Sequence, residues 1–492
     1  MKRRIYGLET EYGIIDLSDD SLAEVSCLDH FFRVIYEKVR SAAGYQNRFF
    51  YLNGAYIYLE NTGKHPEYAT PECAGVKDLI RWDKAGERIF EEAMAEVNRE
   101  MVQSRQTDRQ IRIYKNNTDA SGLTTYGCHE NYLVSRQVEE SWLYQCLIPF
   151  LVTRQIICGS GYIDELGFKI SQRSDFIYQV ESSGSTDAAT ANRPIIHTKD
   201  EPLANKDLWR RFHLIMGDAN MCQISAFLKV GTTALVLRMI EDGFFPEPHQ
   251  LRIFEPVKTL KKINTNPFCL IKPEGPEDDC SPLTATQIQR KYLEWTEEYL
   301  SGLTEVEPEW REITEIWETT LDALEENPAE LFGRIDWITK KRLMESILEK
   351  HGFDWKGLKK EISSPEAKSL LGTLKTVDLH YHDIRRDAGL YNLLEKEGLA
   401  ETLVSEEKIQ AAKTAPPPDT RANWRAGFLK LTEDERFQNV RVQITEWDSV
   451  NLSRQLPSPA LSESRILKRE DPLDAGLPDR EEILRKLKII KD

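Results

Sequence analysis

The sequence predicts an α+β fold, and three observations predict it. Short runs of aromatic and β-branched residues crowd the first 135 positions, residues 283–400 carry apolar side chains at helical spacing among many charges, and the two patterns do not alternate as regular strand–helix–strand units. In order along the chain, residues 3–15 read as a strand, 27–43 as an amphipathic helix, and 48–60, rich in Tyr, Phe and Ile, as a strand again. A helix fits Val76 to Met101, where Leu79, Ile80, Ile89, Phe90 and Met94 recur on one side. Strands follow near 109–115 and 128–134, and the polar stretch Glu181 to Asn192 reads as a mobile loop. Trp295, Leu300, Ile313, Ile316 and Trp317 give the later helices their apolar faces. Ala415-Pro416-Pro417-Pro418 cannot continue a helix, so a boundary is expected between a domain of residues 1–414 and a small α/β unit of residues 415–492. Within that unit Val440 to Leu452 reads as strand and the last dozen residues as a charged helix.

Composition narrows the function. The chain has 492 residues, 40% hydrophobic and 30% charged, which suits one large core and a smaller unit and excludes a disordered chain. A net charge of −16 argues against a general nucleic-acid binder, though it permits a local basic groove. Eight cysteines are scattered with no CxxC pair, which excludes a zinc ribbon and fits reduced thiols in a cytoplasm. No signal-peptide apolar region follows MKRRIYGLETEYG, and the most apolar stretch, Leu147 to Gly159, is broken by Thr153, Arg154 and Gln155. A soluble cytoplasmic protein that binds neither nucleic acid nor membrane is expected.

Three strand segments carry polar groups on one face. Side chains alternate across a pleated strand, so Tyr6, Leu8, Tyr12 and Ile14 share one side and Gly7, Glu9, Glu11 and Gly13 the other. Two carboxylates flanked by glycines leave space for a hard cation such as magnesium, which takes oxygen ligands and keeps substrate phosphates in its shell. In the next segment Tyr56, Tyr58 and Glu60 oppose Ile57 and Leu59, and His65-Pro66-Glu67 follows, its proline constraining the backbone before Glu67. In the third, His129 and Asn131 share a face opposite Glu130, and a neutral imidazole can ligate a metal or bind a carboxylate. Taken singly, each of these patterns is more often an edge face, a turn or a structural histidine.

Taken together, ETEY on the first strand and GCHENY further on resemble the glutamine synthetase superfamily. The closer resemblance is to the ligase that attaches the ubiquitin-like tag Pup to proteins, and to its sister, the Pup deamidase and depupylase. RIYGLETEYG (4–13), HPEYATPEC (65–73), KNNTD (115–119), YGCHENYLVSR (126–136), FLVTRQIICGSG (150–161), SQRSD (171–175), RRFHLIMGDAN (210–220), LKVGTTALVL (228–237), YHDIRR (381–386) and TRA (420–422) carry it, in order. The ligase is favoured by the roughly forty residues between the first two strand segments, where the deamidase carries an insertion, and by NNTD and IDWITKKRL (335–343). WDKAGER (82–88), SQRSD and GLYN (389–392) read more like the deamidase.

The resemblance implies a synthetase-like domain, its antiparallel sheet curved into a cradle and backed by helices, with the small C-terminal unit packed at the nucleotide end. It implies ATP and Mg2+ as cofactors, and a Pup-like protein tag and lysine-bearing proteins as partners. The tag's C-terminal glutamate is activated as a γ-glutamyl phosphate, and a lysine then displaces phosphate to leave an isopeptide bond. By family match, Glu9, Tyr58 and Glu67 are metal positions, with Glu11 and His129 in support. Thr70 and Trp447 are nucleotide contacts, and Arg173, Arg211 and Arg421 are phosphate binders. Tyr56 stands at an ATP-contacting position where the family has arginine, Glu60 stands for the family's catalytic aspartate, and His197 stands for an asparagine. The alternatives are an amide or isopeptide hydrolase on the same scaffold, a small-molecule carboxylate–amine ligase, and a non-catalytic relative.

Overall fold

The computed structural model describes residues 3–17, 25–39, 47–60, 63–104, 110–119, 122–184, 193–245, 251–272, 281–431, 435–437, 439–454 and 464–487. Its first strand, β1 (Tyr6–Glu11), alternates buried and half-buried as expected, with Leu8 inward and Glu9 and Glu11 outward. The expected single strand over 3–15 breaks at Tyr12, and β2 (Gly13–Asp16) leaves to pair with β6 (Ile111–Tyr114) in a separate ribbon. The region 48–60 is likewise a hairpin, β3 (Arg48–Phe50) and β4 (Tyr56–Leu59), turning at Gly54 with φ +82°. Helix α1 spans Val25–Val39. With β5 (Pro66–Ala69), β7 (Cys128–Ser135), β10 (Gln179–Ser182), β11 (Pro194–His197) and β12 (Trp209–Leu214), an eight-stranded sheet forms in the order β10-β11-β12-β7-β1-β5-β4-β3. Every pairing is antiparallel except β10 with β11 at the edge, which departs from the all-antiparallel cradle. Of the expected loop Glu181 to Asn192, the first two residues belong to β10 and residues 185–192 lie outside the described residues.

Helices cover the apolar face. α2 (Val76–Gln103) and α5 (Gln223–Glu241) pack under β1 and β7, and α7 (Ala285–Ser301) and α8 (Pro308–Glu326) form the next layer. The Glu309 carboxylate of α8 accepts the Val76 and Lys77 amides at 2.9 and 2.8 Å, satisfying two of the unpaired N–H groups that open α2. Gly86 lets α2 approach β5, since a Cβ there would sit 2.5–2.8 Å from the Tyr68 ring. Among the described residues one helix, α5, is long and apolar enough to cross a membrane, but 94% of its apolar window is buried inside the protein, which marks a core helix. Its apolar run carries Lys229 near the middle and Arg238 near the end. That lysine is buried with its Nζ donating to Asp218 O at 2.6 Å.

The C-terminal residues build a core of their own. β13 (Val440–Glu446), β14 (Ser449–Arg454) and β15 (Ser464–Lys468) form an antiparallel sheet, so Val440 to Leu452 is a hairpin rather than one strand. α14 (Arg421–Leu431) and α15 (Arg480–Lys486) bring Trp424, Phe428, Ile483 and Leu484 against Val442, Val450 and Leu452.

Candidate active site

The outward face of the central strands is the floor of the site. Register fixes who meets whom. Glu9 lies opposite Ala69 on one side and His129 on the other, Glu11 lies opposite Glu67, and Glu67 also faces Tyr58. Because cross-strand partners share a face, four of the metal candidates, Glu9, Glu11, Tyr58 and Glu67, gather on three adjacent strands. Glu67 is buried. Burial, then the neighbouring charges of Glu11 and Glu9, raise its carboxyl well above the usual range despite a hydrogen bond with Tyr58. Burial raises the Tyr58 phenol as well, with Glu67 next in influence. Glu11 accepts the Gly127 amide at 2.8 Å. The space expected over Gly13 is taken by the Tyr126 hydroxyl, 2.5 Å from where a Cβ would sit.

Beside this acidic end lies a nitrogen-rich one. Burial works against a charged Glu9, but Arg211, His129 and His213 outweigh it and hold its carboxyl well below the usual range. Arg211 donates to Glu9 at 2.8 Å and to the Asn131 side-chain oxygen at 2.6 Å, and Asn131 donates to Glu9 at 3.2 Å. Glu9, His129 and His213 offer ligand atoms within 4.8 Å of one another. His213 is buried and its Nδ1 has no hydrogen-bond partner. The sequence reading missed His213 although RRFHLIMGDAN contains it. Alternation from Arg211 would have placed it on the same face, but only the β12–β7 register, with His213 opposite Asn131, brings it to Glu9. His197 stacks edge-on to His213 at 5.3 Å, with its Nε2 3.2 Å from Gly184 O.

A cavity of about 310 Å³ opens on the same floor and shares Glu9 and Tyr58 with it. Gly7, Thr70, Arg211, Arg421, Tyr56 and Trp447 are among its walls. Thr70 Oγ1 accepts the Leu8 amide at 3.1 Å, which fixes the strand end. Tyr56 sits 4.8 Å from Phe50, 5.1 Å from Tyr58 and 6.1 Å from Trp447, an aromatic wall where the resemblance led one to expect a cation. The three arginines part company. Arg211 faces the cavity beside Glu9. Arg421 lines it too, but its guanidinium binds Glu72 at 3.0 Å and the carbonyls of Arg469 and Glu470 at 3.1 and 3.2 Å. Arg173 lies away from the cavity walls, donating to Thr125 Oγ1 and Ile215 O at 3.0 and 2.7 Å, and burial brings it down to about 10.

Glu60 follows β4 and accepts the Gly63 amide. It is close enough to Glu67 to raise that carboxyl further. His65, passed over in the sequence as part of a turn, donates from Nδ1 to Tyr12 O at 3.1 Å and stacks on Tyr126 at 4.1 Å, bracing the turn between Glu60 and Glu67. KNNTD supports the floor from behind. Lys115 is buried against Asp83 and Glu87 at 2.5 and 2.8 Å, and Asn117 Oδ1 accepts the Ala219 amide at 2.6 Å.

Comparison with known proteins places this arrangement. Residues 4–451 match the Pup-ligase protein family. The chain is 35% identical to the Pup–protein ligase of Xylanimonas cellulosilytica over 486 residues, covering 96% of this chain and 99% of that protein. It is 39% identical to the depupylase of Acidothermus cellulolyticus over 406 residues, covering 81% and 74%. Among solved structures, the complex between the prokaryotic ubiquitin-like protein Pup and its ligase PafA superposes with a TM-score of 0.81 at 33% identity, over 99% of this chain and 91% of that one. The Pup ligase PafA in complex with ADP gives 0.76 at 32% identity, over 91% of each chain.

Proposed function

The chain belongs to the Pup-ligase family, and from that premise we propose that it is an ATP-dependent ligase joining the C-terminal glutamate side chain of a Pup-like tag to lysines of other proteins. One observation carries the reading: the cavity and the acidic floor share Glu9 and Tyr58. Trp447 and Tyr56 would hold the base of a nucleotide in this cavity, and Thr70 and Arg211, between them and the acids, would hold its phosphates. The donor set suits magnesium, with Glu9, Glu11, Glu67 and Tyr58 as oxygen donors and His129 at the margin. These residues would hold the ion, whose chemistry would be to neutralise charge on a transferring phosphoryl group. Arg211, a planar fork now paired to Glu9, is the cation best placed to take phosphate oxygens. Arg421 serves the architecture instead, since its N–H groups are spent on Glu72 and two carbonyls, and Arg173 lies away from the cavity walls, held to Thr125 and Ile215. A lysine amine is protonated at neutral pH, so its attack needs a base. Glu60, at the end of β4 beyond Tyr58, is the carboxylate we assign to it. The seven described cysteines are buried and form no disulfide, which supports a cytoplasmic setting.

The 39% identity to a depupylase supports a second reading, amide or isopeptide hydrolysis on the same scaffold. Product analysis decides. The chain is incubated with ATP, magnesium, a Glu-terminated tag and a lysine-bearing protein, and the products are read by mass spectrometry. A ligase forms one isopeptide bond per ADP released. A hydrolase releases tag from a preformed conjugate without stoichiometric ATP turnover, and that outcome alone overturns the ligase assignment.

A further inference from the structure

Arg425 lies on α14, beyond the proline run, yet it ties the two sides of that run together. Its Nη1 and Nη2 donate to the Glu72 carboxylate at 2.8 and 2.5 Å, and Nη2 also donates to Gly54 O at 2.9 Å. Nη1 donates to the backbone carbonyl of Trp447 at 2.6 Å. The guanidinium plane rests 4.9 Å from the Phe50 ring centre and 4.9 Å from that of Trp447. Arg425 is fully buried, and Glu72, two residues after Thr70, is buried with it. Burial disfavours a charged Glu72, but Arg425 and Arg421 overcome it and hold the carboxyl at about 2. α14 can come this close because Gly54 turns the β3–β4 hairpin beneath it, where a Cβ would stand 3.0 Å from Ala422.

We infer that Arg425 is a positioning residue for nucleotide recognition, which holds the Trp447 indole as a wall of the cavity by anchoring it to Glu72 and Phe50. The inference rests on the nucleotide reading above. Trp447 follows the last residue of β13 and has only partial cover of its own. Its position is therefore set by what grips it, and Arg425 grips both its carbonyl and its ring. Only a planar fork can serve a carboxylate and two carbonyls while lying against the Phe50–Trp447 pair, whose rings meet edge-to-face at 5.2 Å, and a lysine ammonium supplies neither the plane nor the spread of donors. Arg421 shares Glu72 but turns its remaining N–H groups to the carbonyls of Arg469 and Glu470, so it does not duplicate this role.

The test uses the full chain and two probes, ATP and inorganic tripolyphosphate, which lacks a base. R425K is expected to weaken ATP binding about tenfold, raising KM for ATP by the same factor while kcat at saturating ATP stays within about threefold. Tripolyphosphate affinity is expected to stay unchanged. W447A should reproduce the loss, and the double variant should bind ATP no more weakly than either single one, because both remove the same contact. ATP binding by R425K at the wild-type level overturns the inference. So does an equal loss for tripolyphosphate, which would mean collapse of the whole site, and so does a double variant whose losses multiply. If R425K does not fold, the isosteric E72Q is read the same way, with a smaller loss expected for ATP alone. Failure of the wild-type chain to bind ATP removes the nucleotide reading itself, a result distinct from a wild type and an R425K that bind ATP equally.

Discussion

Replacing Lys115 by methionine tests the buried charge network behind the floor. The lysine is 1% exposed and its Nζ lies 2.5 Å from Asp83 and 2.8 Å from Glu87, which are 2% and 0% exposed. Burial alone would push the Glu87 carboxyl up, but Lys115 first, then Lys84 and Arg88, bring it down to about 2 from an ordinary 4.5. That difference corresponds to about 3 kcal/mol of stability at neutral pH, present above about pH 4.5 and lost as the pH falls toward 2. Methionine keeps the length and removes the charge, leaving two buried carboxylates with Lys84 and Arg88 as their nearest cations. Removing one partner of a buried ion pair typically costs about 3–5 kcal/mol, and that is the loss expected at pH 7.5. The sign of its pH dependence follows. With Lys115 gone the Glu87 carboxyl takes up a proton more readily in the folded state, so the variant loses less than the wild type as the pH falls below about 4.5 and the gap narrows toward about pH 3.5. Urea unfolding followed by circular dichroism at both pH values measures it. A penalty under about 1 kcal/mol at pH 7.5, or one that is the same at pH 7.5 and about pH 3.5, would refute the reasoning.

Three further outcomes are expected. Glu9→Gln and Glu67→Gln should each lower ATP turnover by about a hundredfold or more, while Glu67→Gln raises the urea midpoint of the cation-free protein, because burial and Glu11 already disfavour charge at that position; wild-type turnover in both would remove the metal assignment. Glu60→Gln should retain ATP binding and lose isopeptide formation, with Glu60→Asp intermediate, measured by gel-shift of a lysine acceptor alongside nucleotide binding; ligation by Glu60→Gln at the wild-type rate would place the base elsewhere. Gly86→Ala should destabilise by about 1–3 kcal/mol, since its Cβ would meet the Tyr68 ring at 2.5–2.8 Å; a net gain in stability from helix propensity alone would show that the ring can move aside.

Alternation along single strands was legible in the sequence because it is local. Glu9 and Glu11 opposite Leu8, and His129 opposite Glu130, follow from a period of two, and the burial of β1 and β7 repeats it. Even the inward Glu130 makes sense once its partner is seen: Arg154, itself buried, takes it at 2.5 and 2.8 Å. What the sequence withheld was long-range register. Glu11 meets Glu67 and Glu9 meets His129 only through pairings that span more than fifty and more than a hundred residues. The break at Tyr12 and the turn at Gly54 were hidden for a related reason, since the flanking residues favour strand on both sides and only the partner strands decide where each one ends. Arginines are the hardest case. Arg173, Arg211 and Arg421 look alike in sequence, and their roles separate only when Ile215 O, Glu9 and Glu72 are seen to claim them.

The position of β1 at the middle of the sheet has a consequence in time. Synthesised before both partners, β1 must wait for β5 to pair one of its edges and for β7 to pair the other. At about 5–20 residues per second, the interval between synthesis of β1 and β7 is roughly ten seconds, long compared with local helix formation. During it Tyr6 and Leu8 are apolar residues on a strand with at least one open edge, the kind of segment that invites aggregation or capture by a chaperone. Glu9 and Glu11, alternating with them on the opposite face, keep that waiting strand charged. The same two carboxylates that make the floor of the site are thus charges the strand carries before the site exists.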